Sequence, residues 1–209
     1  LRLVDVFAEL RKRDPLSERL RTEYFRLKSG LGRRPLRLEI HSGTDIASRE
    51  FLRARYLSPQ KGYLRFLADV GELDSEEKSW LDSDLGEFLI DLETTAMTKL
   101  YKIPTFRAFI QGDRLLPHVS SREIARSLQG FYRDPRLYVD MLDKASQGYQ
   151  DWPLEKWVSL AEKNPIHFLD KSSPFFQFDE INKNLRLASA VYEGQSRLLI
   201  THITDILSY

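Results

Sequence analysis

The chain has 209 residues, 42% hydrophobic and 30% charged, with a formal net charge of +1; this is the profile of a folded protein with core material for one large domain or two small ones. No apolar run approaches the roughly 18 residues of a membrane span, and the start, Leu1-Arg2-Leu3-Val4-Asp5, turns charged too soon for a signal peptide. The absence of cysteine excludes a disulfide framework and thiolate metal sites. A first residue other than Met reads as a fragment of a longer protein, and a reducing cytoplasm is the expected compartment.

The near-neutral total hides an asymmetry. Residues 11–37 are basic: Arg11, Lys12, Arg13, Arg19, Arg21, Arg26, Lys28, Arg33, Arg34 and Arg37 outweigh Asp14, Glu18 and Glu23. Residues 72–93 are acidic, with Lys78 their only positive charge. In chain order, Leu3, Val6, Phe7 and Leu10 predict a helix over 3–13, interrupted at Asp14-Pro15. A second helix carries Leu16, Leu20, Tyr24, Phe25 and Leu27 and closes at Ser29-Gly30. The turn Leu31-Gly32-Arg33-Arg34-Pro35 follows, then a short helix or extended piece over 37–41. Asp45 caps a helix through Leu52 and Tyr56. Tyr63, Leu64, Phe66, Leu67 and Val70 form another stripe, stopped by Gly71. These predict a basic, helix-turn-helix-like unit over 1–80, with the acidic stretch Glu72–Glu87 as its boundary, although Trp80, Leu81 and Leu85 show that it is no floppy linker.

Residues 81–209 read differently. Leu100, Ile103, Phe106, Phe109 and Ile110 predict a helix ended by Gln111-Gly112. Pro104 either sits in its first turn or kinks it. Ser120-Ser121-Arg122-Glu123 is a capping box before a helix over 121–132. Asp134-Pro135 breaks the chain before a short segment at 137–142. Pro153 opens a helix with Leu154, Trp157, Val158 and Leu160, stopped by Asn164-Pro165. Phe175 to Phe178 and Leu185-Arg186-Leu187 alternate around Asn182-Lys183-Asn184 as a β-hairpin. A final helix runs from about Ala188 to Ile206. The expected fold is mainly α with a small β-hairpin (α+β), the second unit having the order of a winged helix.

Catalytic signatures are missing: no Walker loop, dinucleotide turn or nucleophile elbow occurs. His41, His118, His167 and His202 are scattered singly. Asp74-Ser75-Glu76-Glu77-Lys78 has the letters of a nuclease site without its strand, and Asp179 and Glu180 read as turn residues. No catalytic residue, metal or cofactor is expected in this chain. Nucleic-acid cues are better developed. Arg33 and Arg34 occupy a stiff turn, with Arg37 close behind, and offer phosphate contacts. Thr98, Lys99, Tyr101 and Lys102 cluster at a helix start, where N–H groups favour phosphate; Tyr101 reads equally as a core aromatic. Ser121, Arg122 and Arg126 head the capped helix as a recognition helix would, and Lys183, Asn184 and Arg186 decorate the hairpin.

The stretches Leu27-Lys28-Ser29-Gly30-Leu31-Gly32-Arg33-Arg34-Pro35 and Tyr63-Leu64-Arg65-Phe66-Leu67-Ala68-Asp69-Val70-Gly71 resemble small helical DNA-binding repeats attached to nucleases and helicases. The polar helix start Glu93-Thr94-Thr95-Ala96-Met97-Thr98-Lys99-Leu100-Tyr101-Lys102-Ile103-Pro104-Thr105-Phe106 is similar to the C-terminal accessory region of bacterial superfamily 2 helicases of the DEAD/DEAH and restriction-enzyme type. So are Trp157-Val158-Ser159-Leu160-Ala161-Glu162-Lys163-Asn164-Pro165-Ile166, Phe175-Phe176 and Asp179-Glu180-Ile181-Asn182. The resemblance covers most of the chain. It implies a region without motor motifs, ATP and Mg²⁺ belonging to the parent motor. Such a region holds DNA, in restriction, anti-phage defence or repair. The alternative it implies is a protein–protein docking module for the motor of its own chain or for a partner nuclease.

Overall fold

The computed structural model describes residues 16–42, 62–94 and 99–208. The helices expected over 3–13 and 45–56 lie outside them. Two compact units emerge, one from the described residues of Leu1–Thr94 with Ile203–Tyr209, the other from those of Thr95–His202. The fold is mainly helical, with two small antiparallel sheets.

In the first unit, α1 (Leu16–Leu31) buries Leu20 and Tyr24, one turn apart on a single face. It ends one residue later than Gly30 predicts, at Gly32, whose φ of +65° suits a helix-terminating glycine. The piece after Pro35 is helical, α2 (Arg37–Ser42). Helix α3 (Gly62–Asp69) buries Tyr63, Leu64, Phe66 and Leu67, and Phe66 packs edge-on to Tyr24 at 5.4 Å. The acidic stretch folds as α4 (Ser75–Trp80) and α5 (Asp84–Thr94), with Trp80, Phe88, Leu89 and Leu92 buried. Asp74 and Glu77 form a reciprocal capping box at α4. Gly86 has no substitute, since a Cβ there would lie 2.1 Å from the Trp80 carbonyl oxygen. The expected boundary stretch thus packs into the core, and the division falls after Thr94.

In the second unit, α6 (Lys102–Phe109) carries Pro104 in its first turn, where a missing N–H costs nothing. Phe106 and Phe109 meet Phe176 edge-on at 5.1 and 5.7 Å. Strands β1 (Ile110–Gln111) and β2 (Arg114–Leu115) form a tight hairpin through Gly112 at φ +60°. Neither strand follows from the sequence pattern, because Gln111-Gly112 reads equally well as a helix end. Strand β3 (His118–Ser120) leads into α7 (Ser121–Phe131), whose Ser120–Glu123 capping box forms as predicted. Short 3-10 turns bridge to α8 (Leu154–Ala161).

Asn164-Pro165 does not stop the chain's helical path. A π turn over Glu162–Ile166 absorbs Pro165, and α9 (His167–Ser172) continues. The wider turn relieves the clash a proline ring makes with the preceding α-helical turn. Strands β4 (Phe176–Asp179) and β5 (Asn184–Leu187) form the expected hairpin and take β3 alongside, in the antiparallel order β3-β5-β4. The predicted final helix is two, α10 (Ser189–Glu193) and α11 (Arg197–Ser208), separated at Gly194. The core joins α7 to α8 through Tyr132 stacked on Trp157 at 6.2 Å.

Candidate nucleic-acid interface

The arginines of the first unit are committed internally. Arg33 is exposed, but its guanidinium forks onto the Glu39 carboxylate at 2.9 and 2.5 Å. Arg34 is half-buried, paired with the fully buried Glu77 and donating to the Glu72 carbonyl. It ties the turn before α2 to the N-terminus of α4. Arg37 is 1% exposed. It donates to Asp205 at 2.7 Å and to Glu93 at 3.2 Å, with its guanidinium 4.5 Å from the Tyr63 ring centroid. The expectation that Arg37 meets phosphate is corrected: no solvent reaches it and both carboxylates claim its charge.

The helix-start cluster divides. Thr98 lies outside the described residues. Lys99 bonds Asp143 and the Tyr101 hydroxyl; partial burial lowers its pKa, the bond to Asp143 raises it, and the net shift is upward. Tyr101 is a core residue, 2% exposed and edge-on to Tyr132. Burial raises its pKa, so of the two readings the core aromatic holds. Lys102 is partly exposed on the first turn of α6.

The α7 and hairpin residues come together. Ser121 is buried, and its N–H and hydroxyl both donate to the Lys183 carbonyl, at 2.8 and 3.2 Å. It is therefore a structural tie between helix and hairpin turn, corrected from a ligand contact. Arg122 is exposed with a loose partner, Glu155 at 3.3 Å, and Arg126 is exposed one turn on. Asn184 starts β5, in register with Ser120 and Asp179. Lys183 holds the left-handed φ of 55° at the turn and reaches Glu162 at 3.4 Å.

The sequence pattern conceals a stripe on α8, the π turn and α9. Lys156, Ser159, Lys163, His167 and Lys171 are all exposed, at spacings of three and four residues. Only a helix continuing through Pro165 aligns them, and the proline argues against one. Beside the stripe, a cleft of about 410 Å³ opens between this helix and the hairpin, lined by Glu162, Lys163, His167, Asp170, Phe178, Glu180 and Lys183.

Among the described residues no three His, Asp or Glu side chains are grouped to hold a metal ion. No helix among them is long and apolar enough to cross a membrane. Comparison with known proteins finds no protein-family model, no curated protein and no solved structure that matches the chain.

Proposed function

We propose that the second unit is a winged-helix-like DNA-binding module. On this reading the chain is the non-catalytic C-terminal accessory region of a bacterial superfamily 2 ATP-dependent DNA helicase. The observation that carries the module is its order: α6, β3, α7, the α8–α9 helix, then the β4–β5 hairpin, with strands arranged β3-β5-β4. In helix-turn-helix proteins the second helix of the pair enters the major groove. Here that is α8–α9, which carries Lys156, Lys163, His167 and Lys171 on its exposed face. Helix α7, with Arg122 and Arg126, takes the flanking role on the phosphate backbone. The helicase assignment rests on the sequence resemblance, which puts ATP and Mg²⁺ in the motor and leaves grip on DNA to this region. A gel-shift series over salt tests the module. Binding falls steeply with salt, and Lys163→Glu with Lys171→Glu lowers both the affinity and the salt slope. Unchanged affinity in that double variant sinks the reading.

One observation favours the docking alternative. Leu100, Tyr138, Val139 and Leu142 are 41–65% exposed, and the Leu100 N–H donates to Asp140 at 2.7 Å, which holds the two segments together. Exposed apolar side chains gathered on neighbouring segments are the kind of surface that protein partners cover. A size-exclusion shift with the helicase motor or a partner nuclease, at salt that strips DNA, is the measurement for it.

A further inference from the structure

The exposed face of α8, the π turn and α9 carries one side chain that phosphate binding does not explain. Phe168 is 55% exposed, the most exposed phenylalanine of the described residues. A lone exposed apolar residue means little on its own, but the place of this one is informative. It follows His167 directly, the two rings edge-on at 5.6 Å, and it lies within one turn of the exposed Lys171. Two carboxylates of the same helix are engaged elsewhere: Glu162 with Lys183 at 3.4 Å, and Asp170 with the Phe178 N–H at 2.6 Å. The surface around Phe168 is therefore basic and aromatic at once.

Four residues before Phe168 stands Asn164, within the π turn. That spacing brings two side chains to one side of a helix, and π turns of this kind are frequent at functional sites. The Asn164 carbonyl accepts from the His167 N–H. Its half-buried side-chain amide makes no hydrogen bond to the described residues, so both its donor and its acceptor are open to a ligand.

The major groove narrows what such a pair of side chains can meet. A phenyl ring forms no hydrogen bond with a base edge, and the apolar group that the groove presents is the pyrimidine C5-methyl. A side-chain amide matches the N6 donor and N7 acceptor of adenine. The methyl and the adenine edge are the two halves of one A·T pair. We propose, resting on the DNA-binding reading above, that α8–α9 reads A·T pairs. Phe168 covers the thymine methyl and Asn164 bonds the adenine edge, while Lys163 and Lys171 hold the flanking phosphates.

The 209-residue chain is titrated at one moderate salt concentration with four duplexes of equal length. One is made of A·T pairs, and a second is the same with deoxyuridine for thymidine. A third is made of G·C pairs, and the fourth is the same with 5-methylcytosine for cytosine. The thymine duplex binds about fourfold tighter than the uracil duplex, the worth of one buried methyl group. It binds at least about tenfold tighter than the unmethylated G·C duplex, because the adenine contact adds to the methyl. The 5-methylcytosine duplex recovers the methyl share alone. Phe168→Ala, a truncation at the surface that leaves the fold intact, binds the thymine and uracil duplexes alike and keeps the salt slope. Asn164→Ala keeps the methyl effect but binds the thymine and 5-methylcytosine duplexes alike. Equal affinity for thymine and uracil in the unaltered chain, or a difference that survives Phe168→Ala, overturns the methyl contact and leaves the DNA-binding reading standing. Binding to 5-methylcytosine as tight as to thymine in the unaltered chain overturns the adenine contact. Failure to bind any of the four at low salt overturns both readings.

Discussion

The basic run of the first unit and the scattered cations of the second differ in how their charge is held. Arg33, Arg34 and Arg37 come from the most basic part of the described chain, yet each is matched by a carboxylate. Arg122, Arg126, Lys163 and Lys171 come from stretches of mixed charge, yet they stand exposed, and the partner of Arg122 is itself 71% exposed. A single loose ion pair in water, such as Arg122 with Glu155, is worth little and exchanges readily for a phosphate, whereas the two-pronged fork of Arg33 on Glu39 holds better. A buried pair does not exchange, because separating it strands a charge in low dielectric. Basic composition therefore fixes how much positive charge a unit has, while partnership decides how much of it a ligand can use.

The sharpest way to break that contrast is at Arg37. Arg37→Met strands Glu93 and Asp205, both nearly inaccessible, and breaking such a pair costs about 3–5 kcal/mol. Hydrogen exchange of the α3 and α5 amides reads the loss in the first unit directly. Adding Glu93→Gln and Asp205→Asn recovers most of it, because neutral amides no longer demand a counter-charge. Full protection in the single variant shows that Arg37 is not committed as described.

Charge reversals come next. Lys163→Glu and Lys171→Glu each lower DNA affinity about tenfold at moderate salt and reduce the logarithmic salt slope by about one for each phosphate no longer neutralised. Arg33→Glu, which removes the exposed pair with Glu39 and a bond to the Arg34 carbonyl, leaves the affinity within about twofold. If Arg33→Glu weakens binding as much as Lys163→Glu does, partnership is the wrong criterion and the first unit shares the interface.

How far the sequence reveals this depends on the range of the forces involved. The Ser120–Glu123 capping box and the β4–β5 hairpin are visible because their signals are local: a cap reaches three residues, and a hairpin turns on Asn182-Lys183-Asn184. The burial of Arg37 is not visible, because its partners lie 56 and 168 residues away. The stretch 72–87 reads as a boundary because its charges dominate the count; Trp80 already marks it as packed, and Phe88, Leu89 and Leu92 carry that packing on through the helix that follows. The candidate groove helix stays hidden because a proline nearly always ends an α-helix, and nothing local announces that a π turn will absorb it. Tyr101 shows the limit from the other side, since a tyrosine beside lysines reads equally as ligand or core until Tyr132 is seen against it.

A smaller effect tests the cap of α7. Ser120→Ala removes the α7 cap, in which Ser120 accepts from the Glu123 N–H at 3.2 Å. Helix caps of this kind are worth about 1 kcal/mol. The Glu123 carboxylate, held low by the Ser120 hydroxyl and then the Ser120 N–H, moves back up when the hydroxyl is lost. An NMR titration of Glu123 separates this from general unfolding, for its pKa rises while the β3–β5 cross-strand pairing persists.

Arg136 sharpens the comparison most finely, because it combines the properties of both regions: 87% exposed, yet held at 2.6 Å by a carboxylate two residues away. The side-chain bonds from Arg136, then its backbone N–H, push the Asp134 pKa down to about 2. A carboxyl lowered in the folded state stabilises it above the unfolded pKa, roughly 4. That contribution fades as the pH falls from there through about 2. Asp134→Asn removes this segment of the acid-unfolding profile and leaves the neutral region alone. Salt distinguishes the two causes. At about 1 M the Debye length shrinks to roughly 3 Å, so the Coulombic share is screened and the pKa climbs, while the backbone hydrogen bond at 2.9 Å keeps it below the ordinary carboxylate range. A pKa that ignores salt makes Arg136 a committed residue, and Arg136→Glu then leaves DNA affinity unchanged. A pKa that returns to the ordinary value frees Arg136 as a cation for phosphate, and the same substitution weakens binding.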